Sequence, residues 1–228
     1  MHEKTIALIV AAGSGIRLGS LVPKQYLSIN GLSLLVIAAQ KFYLHPQVDA
    51  VAVVIDKNHQ DLYDQATFDL DLIPLAVGGI ERQDSVRNGL SAIAKYQPEN
   101  VLIHDAARIF VTTELISQLL KELKYNEAVI PVYPIKDSLK YINEDLIIEK
   151  NVSRETIFGA QTPQAFKYQQ ILEAHYKYQG KNYTDDASLL AEEGIPVKVI
   201  VTDNSNFKIT TNEDLILANL LLGKSHEK

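Results

Sequence analysis

Four short segments of this chain combine glycines, cations and one acid in spacings that suit phosphate chemistry. The first is Ala11-Ala12-Gly13-Ser14-Gly15-Ile16-Arg17-Leu18, directly after an apolar run, with Pro23-Lys24-Gln25 close behind. A Gly-rich turn at the carboxyl end of a strand lets backbone N–H groups reach phosphate oxygens. Arg17 and Lys24 add mobile positive charge. This is no Walker loop, because no Gly-Lys-Ser/Thr follows. It is a poor dinucleotide fingerprint, since Leu18 holds the third glycine position and Asp56 lies too far along to take a ribose. The second segment, Gly78-Gly79-Ile80-Glu81-Arg82-Gln83-Asp84-Ser85, sets a glycine pair between a strand and a helix start.

The third segment is His104-Asp105-Ala106-Ala107-Arg108, just past another apolar run. Ligands of open α/β sheets bind outside the carboxyl ends of the strands, where this Asp stands. A lone carboxylate there suits Mg²⁺, which keeps most of its waters and takes other ligands from substrate phosphates. No second histidine is spaced to help His104, which reads as a structural residue rather than a metal ligand. The fourth segment, Asn206-Phe207-Lys208-Ile209-Thr210, puts Lys208 ahead of the last helix. Each segment alone is compatible with a plain turn and solvated charges. Together they hold phosphate binders and a metal acid, no nucleophile with a paired base, and nothing suited to hydride transfer. That inventory points to phosphoryl or nucleotidyl transfer, where positioning and charge neutralisation do the catalysis.

Such residues converge only if the chain alternates strands and helices. Residues 6–10, 51–55, 73–77, 101–103, 129–132 and 197–201 are short, nearly continuous apolar runs, as strands covered on both faces read. Helical periods lie between them. Ser33 caps a helix over 34–43, and 81–94 puts Val86, Leu90, Ile93 and Ala94 on one face. Thr112 or Thr113 caps a helix reaching about residue 124. Thr184 opens another that stops at Gly194, and Thr211 opens the last, closed by Gly223. The expected fold is α/β: a mostly parallel twisted sheet with helices on both faces. Residues 133–161 break the alternation. Asn143-Glu144-Asp145 is a turn between 138–142 and 146–149, which suggests a projecting hairpin arm. An isolated hairpin is marginal in water, so a second copy of the chain is the simplest partner.

Composition sets the outer bounds. At 228 residues the chain is long enough for one large domain, taken here as 1–228 with the arm as a subregion. Its formal charge of −6 argues against general nucleic-acid or anionic-membrane binding. The absence of cysteine excludes disulfides, thiol catalysis and Cys-zinc sites and fits a reducing compartment. No apolar run approaches the roughly 18 residues of a membrane span. The apolar start, 5–12, loosely resembles a signal peptide but reads better as a buried first strand. The expected location is cytoplasmic.

The segments AAGSGIRLG…PKQYL, VGGIERQDSV, HDAAR, AQTPQAF, TDDAS and NFKITTNEDL, in that order along nearly the whole chain, resemble the 2-C-methyl-D-erythritol 4-phosphate cytidylyltransferase family. The resemblance implies a Rossmann-like nucleotidyltransferase fold, a homodimer with an interlocking arm, CTP, Mg²⁺, and attack of the substrate phosphate on the α-phosphorus of CTP. It implies that Ala11, Ala12, Gly13 and Gly15, with Gly79 and Ser85, hold the nucleotide. Arg17 and Lys24 would neutralise the triphosphate in the transition state. Asp105 would meet Mg²⁺ or ribose with Ala106 beside it, and Arg108 would face the substrate. Lys208 would bridge the α-phosphate and the incoming phosphate. Ser138, Arg154 and Thr162 would contact the polyol phosphate, in the neighbouring subunit's site, and Thr184 from the same chain.

Three positions depart from the family pattern: Ile109 where Pro is usual, Ser138 where Thr is usual, and 202–205 without the usual Gly. The first predicts a looser loop, and the third leaves the presentation of Lys208 open. Rival readings are a ribitol 5-phosphate cytidylyltransferase, a nucleotide-binding regulator without turnover, and an NAD-dependent oxidoreductase.

Overall fold

The computed structural model describes residues 3–13 and 22–223. Strand β1 (Thr5–Ala11) lies at the centre of an eight-stranded sheet and is almost wholly buried, with Ile6, Ala7, Leu8 and Ile9 at 0% exposure. Its parallel neighbours are β4 (Ala50–Ile55) and β6 (Asn100–Asp105). A small Asn30-Gly31 hairpin, β2 (Ser28–Ile29) with β3 (Leu32–Ser33), comes between β1 and α1 (Leu34–Tyr43). Beyond β4 follow α2 (Gln60–Thr67) and β5 (Ile73–Val77), which extends the sheet in parallel, then α3 (Arg82–Ile93), which returns the chain to β6.

The second half is woven differently. After α4 (Thr113–Leu123) and β7 (Ala128–Pro134), the chain leaves the sheet as a separate hairpin, β8 (Leu139–Ile142) with β9 (Ile148–Val152). It returns as β10 (Phe158–Ala160) and β11 (Gln164–Lys167), both antiparallel to β7, with β11 also closing onto β6. Helices α5 (Tyr168–Lys177) and α6 (Ala187–Glu192) lead to β12 (Val197–Val201), parallel to β7, and α7 (Asn212–Gly223) ends the described chain. All strands of the main sheet except β10 and β11 thus run the same way. This is a mostly parallel α/β sheet with helices on both faces.

Alternation along β1 decides which helices cover which face. Ile6 and Leu8 pack with Val86 and Leu90 of α3, Ile171 of α5 and Leu190 of α6. Ala7 and Ile9 point the other way, to Leu35 and Phe42 of α1, Tyr63 of α2 and Leu119 of α4. Each buried Leu or Ile contributes about 1.5–3 kcal/mol relative to exposure, so this two-sided core fixes the register of the central strands.

The predicted caps hold at three helices. Ser33 Oγ accepts from Val36 N, Thr112 Oγ1 from Leu115 N, and Thr211 Oγ1 from Asp214 N. The helix expected from Thr184 instead begins at Ala187, because Asp185 accepts from Ser188 N and takes over the turn. The arm's second strand starts at Ile148 rather than 146, since Leu146 adopts φ 62° and lengthens the turn. Strands β10 and β11 and helices α2 and α5 had no clear periodic signal.

Candidate active site

The carboxyl ends of β1, β4, β5 and β6 open into one cavity of about 790 Å³, lined by Ala11, Ala12, Gly13, Lys24, Gly79, Arg82, Ser85, Asp105, Ala106 and Lys208 among others. Nine residues expected from the sequence to act at one site therefore meet in one hollow: Ala11, Ala12, Gly13, Lys24, Gly79, Ser85, Asp105, Ala106 and Lys208. Arg17 and Gly15 lie outside the described residues.

Hydrogen bonds shape the backbone of this hollow. Gln25 Nε2 donates to the carbonyls of Ala11 (2.7 Å) and Gly13 (2.9 Å), holding the first turn from behind. Gly78 N donates to the Ile55 carbonyl at 2.8 Å, and Gly79 N donates to Ser85 Oγ at 3.0 Å. A Cβ at Gly78 would stand 2.4 Å from the Ala12 Cβ, so the two loops approach closely only because glycine is there. Lys24 Nζ donates to the Ile209 carbonyl at 3.0 Å, which brings its stem alongside the Lys208 segment.

Asp105 is the electrostatic centre. Arg82 Nε lies 3.2 Å from its Oδ1, Lys208 Nζ 2.8 Å from its Oδ2, and Arg108 Nε 3.8 Å from Oδ2. Burial alone would raise this carboxyl, but Arg82, Lys208 and Arg108 more than reverse that and hold it far below the ordinary carboxylate range. The site thus carries a permanent anion surrounded by cations, ready to receive more negative charge. Mg²⁺ wants oxygen ligands and keeps several waters. No group of three or more His, Asp or Glu suited to a metal occurs among the described residues. The donor set fits a Mg²⁺ that draws most ligands from phosphate oxygens and water, with Asp105 giving at most one oxygen.

Arg82 was not singled out from the sequence. Its guanidinium also lies 2.8 Å from Asp186 Oδ2, and Asp186 Oδ1 meets His175 Nε2 at 3.1 Å. Burial would raise the Asp186 carboxyl, but Arg82 and His175 pull it below its usual value. A signal was present: a cation in the first turn of a helix opposes the helix dipole, and so calls for an acid partner. The Gln25 clamp had no comparable signal.

Not every expected contact faces the cavity. Arg108 donates from Nη1 to the Asn206 carbonyl at 2.8 Å, beside rather than within the hollow. The Thr162 hydroxyl is buried against His104 and the Asp105 backbone. Thr184 is exposed in the loop before α6. Ser138 and Arg154 are exposed where the chain leaves and re-enters the sheet, and Arg154 Nη1 donates to the Lys136 carbonyl. Neither lines the cavity.

Two of the three departures have structural answers. Ile109 is 1% exposed and packs with Ile29, Leu34 and Ile209, so apolar contact anchors the loop where a proline ring is usual. In 202–205, Asp203 Oδ1 accepts from Ser205 N at 2.8 Å, and Thr202 bonds the Val132 carbonyl and Gln161 Oε1. A side-chain turn thus shapes that stretch without glycine.

A cleft lined by glycine turns and cations at the strand ends of an open, mostly parallel sheet, with no nucleophile–base pair among its described residues, is the architecture of an α/β nucleotidyltransferase. The family model for 2-C-methyl-D-erythritol 4-phosphate cytidylyltransferase, IspD, matches residues 5–224, and the chain belongs to that family. It is 39% identical over 218 residues to a bifunctional IspD/IspF enzyme of Paramagnetospirillum magneticum, covering 96% of this chain and 56% of that protein. It is 41% identical over 217 residues to another such enzyme, of Rhodopseudomonas palustris, covering 94% and 54%. The chain spans about half the length of these curated relatives. Among solved structures it is similar to a 4-diphosphocytidyl-2C-methyl-D-erythritol synthase of Anaerococcus prevotii, with TM-score 0.85, 31% identity and 97% of each chain covered. It is similar also to a 2-C-methyl-D-erythritol 4-phosphate cytidylyltransferase of Thermus thermophilus, with TM-score 0.77, 30% identity, and 97% and 98% covered. These likenesses do not favour the ribitol phosphate alternative. Among the described residues no helix is long and apolar enough to cross a membrane.

Proposed function

We propose that this protein transfers the cytidylyl group of CTP to 2-C-methyl-D-erythritol 4-phosphate. A phosphate oxygen of the polyol forms a bond to the α-phosphorus, the bond from that phosphorus to the bridging oxygen of the β-phosphate breaks, and pyrophosphate leaves. The attacking phosphate is already ionised, so no general base is required. The barrier is repulsion between two anions. The observation that carries this reading is the gathering of Lys24, Arg82 and Lys208 with Asp105 in one cavity beside two glycine turns. A cation about 4 Å from a charge contributes about 4 kcal/mol at an effective dielectric of 20. Lys208 and Lys24, with Arg17, are proposed to neutralise the phosphates. Backbone groups of Ala11, Ala12, Gly13, Gly15 and Gly79, with Ser85 and Ala106, receive the nucleoside.

Asp105, together with the triphosphate, would hold a Mg²⁺, which would supply further charge neutralisation. Arg108 and Thr184, with Ser138, Thr162 and Arg154, are proposed for the polyol phosphate side. The exposed apolar side chains Tyr141, Ile142, Ile147 and Ile148 of the hairpin favour a homodimer in which the arm reaches the neighbouring site. Soluble phosphorylated substrates and a cysteine-free chain support a cytoplasmic location, with no role for nucleic acid or membrane. The test is one assay. The protein with Mg²⁺, each of four nucleoside triphosphates and a panel of polyol phosphates is scored for pyrophosphate. Release confined to CTP with methylerythritol phosphate is expected; the same release with ribitol 5-phosphate, or none, overturns the reading.

A further inference from the structure

Behind Asp105, three remote pieces of chain are tied into one closed ring of hydrogen bonds. The Asp105 backbone N–H donates to Thr162 Oγ1 at 3.1 Å, and that oxygen lies 3.0 Å from His104 Nδ1. His104 Nε2 lies 2.8 Å from the Arg108 carbonyl. Arg108 Nη1 donates to the Asn206 carbonyl at 2.8 Å, and Asn206 Nδ2 returns to the Thr162 carbonyl at 2.8 Å. His104 is 0% exposed, Asn206 4% and Thr162 5%, so water does not compete for these bonds.

One proton placement satisfies every bond of this ring. A carbonyl only accepts, so His104 Nε2 carries a proton and donates to Arg108 O. The Thr162 oxygen receives Asp105 N–H, and Nδ1 is the acceptor that the ring offers its own proton, which leaves Nδ1 bare. The imidazole is then neutral and in a single tautomer. Its ring also lies against Phe42, with centroids 4.9 Å apart, which fixes its plane.

Three charged groups hang from this frame. Asp105 and Arg108 belong to it, and Lys208 follows Asn206 by two residues, with Ile209 N donating to the Ala107 carbonyl at 2.8 Å. We propose that His104 and Asn206, tied together through Thr162, are positioning residues for the transfer: the ring sets the spacing of Asp105, Arg108 and Lys208. The inference rests on the cytidylyl-transfer reading and deepens it. It adds a positioning role to the substrate contact that the Thr162 motif implies. It also gives His104 a function other than general base or metal ligand.

The test uses Thr162→Val, close in shape but lacking the hydroxyl, with Thr162→Ser as the conservative partner and His104→Phe as a second break in the ring. Outer residues that orient functional groups typically cost about 10–100-fold in activity when removed. Thr162→Val is expected to lower kcat for pyrophosphate release by that factor, leaving the KM for CTP within about threefold. Thr162→Ser is expected to restore turnover to within about threefold of the parent. Nitrogen NMR of histidine-labelled protein is expected to show His104 as the Nε2–H tautomer, and to show that signal shifted in Thr162→Val. Near-parental kcat in both Thr162→Val and His104→Phe overturns the proposal. So does a lowered melting temperature with unchanged kinetics, a Thr162→Ser as impaired as Thr162→Val, or an Nδ1–H tautomer. A parent protein inert towards CTP with every polyol phosphate overturns the reaction itself; an active parent with an equally active Thr162→Val overturns only the ring's role.

Discussion

Lys208 Nζ rests 2.8 Å from Asp105 Oδ2, although 103 positions separate the two residues along the chain (208 − 105). The ion pair holds the ammonium inside the cavity before any phosphate arrives. Asp105 keeps Arg82 on its other oxygen, so it would stay paired if Lys208 turned towards the proposed substrate. A preorganised cation of this kind stabilises charge that develops only in the transition state.

Lys208→Ala is therefore expected to lower kcat by about 10²–10³-fold with the fold intact, as is typical when one preorganised donor is lost. Lys24→Ala should fall in the same range. Steady-state pyrophosphate release together with circular dichroism checks both. Turnover close to the parent value would remove these residues from the mechanism.

Gly78→Ala brings a methyl group to 2.4 Å from Ala12 Cβ and 2.9 Å from Ser85 Oγ. The glycine turns must separate to admit it. Overpacking of this kind costs about 1–3 kcal/mol. The expected result is a Kd for CTP raised by about tenfold or more, since about 1.4 kcal/mol is tenfold in binding. Calorimetric titration with CTP measures it, and an unchanged affinity would show that the two loops move independently.

Arg82→Met removes the cation shared by Asp105 and Asp186. Asp186 is 1% exposed, and stripping one partner from a buried pair typically costs about 3–5 kcal/mol. Urea denaturation should show a loss of that order, with Arg82→Lys in between because an ammonium cannot reach both carboxylates as a fork does. Equal stability for Arg82→Lys and the parent would mean that the bridge to Asp186 carries little weight.

His45 predicts a pH dependence away from the cavity. Its Nε2 lies 3.2 Å from the Thr113 carbonyl and 3.0 Å from Ser117 Oγ, and Gln47 N donates to its Nδ1. The ring is neutral in the fold, and burial lowers its pKa. The unfolded chain therefore binds the proton first as pH falls below about 6.5. Stability from this residue is present above that pH and is lost on acidification. Denaturation midpoints between pH 7.5 and 5.5 should fall less steeply in His45→Gln than in the parent; parallel slopes would exclude His45 as the source.

Ile148→Lys places a charge on the exposed apolar strand β9, where Ile148 is 58% exposed. If a second copy covers this face, light scattering should report a shift from dimer to monomer. Activity should fall with it, as Ser138 and Arg154 would be withdrawn from the neighbouring site. A parent that is already monomeric at micromolar concentration and fully active would dispose of the arm's role.

The local chemistry of the chain was legible without coordinates. Continuous apolar runs such as 51–55 can only be strands covered on both faces, and Ser33, Thr112 and Thr211 marked helix starts by the hydrogen bonds their short side chains offer. That the glycine turns, Lys24, Asp105 and Lys208 would meet at one rim of the sheet was legible too, because strand polarity sends strand-end residues to the same edge. The antiparallel return of β10 and β11 was not legible, since strands of three or four residues have no period to read. Nor were the Gln25 clamp, the Arg82 bridge to Asp186, or the ring through His104, Thr162 and Asn206. Each joins side chains that are far apart in sequence, so its existence depends on distances that only the packed core sets. Residue types and local spacing thus determined what chemistry this protein carries, while tertiary packing decided which charges share an oxygen and which hydroxyl turns inward.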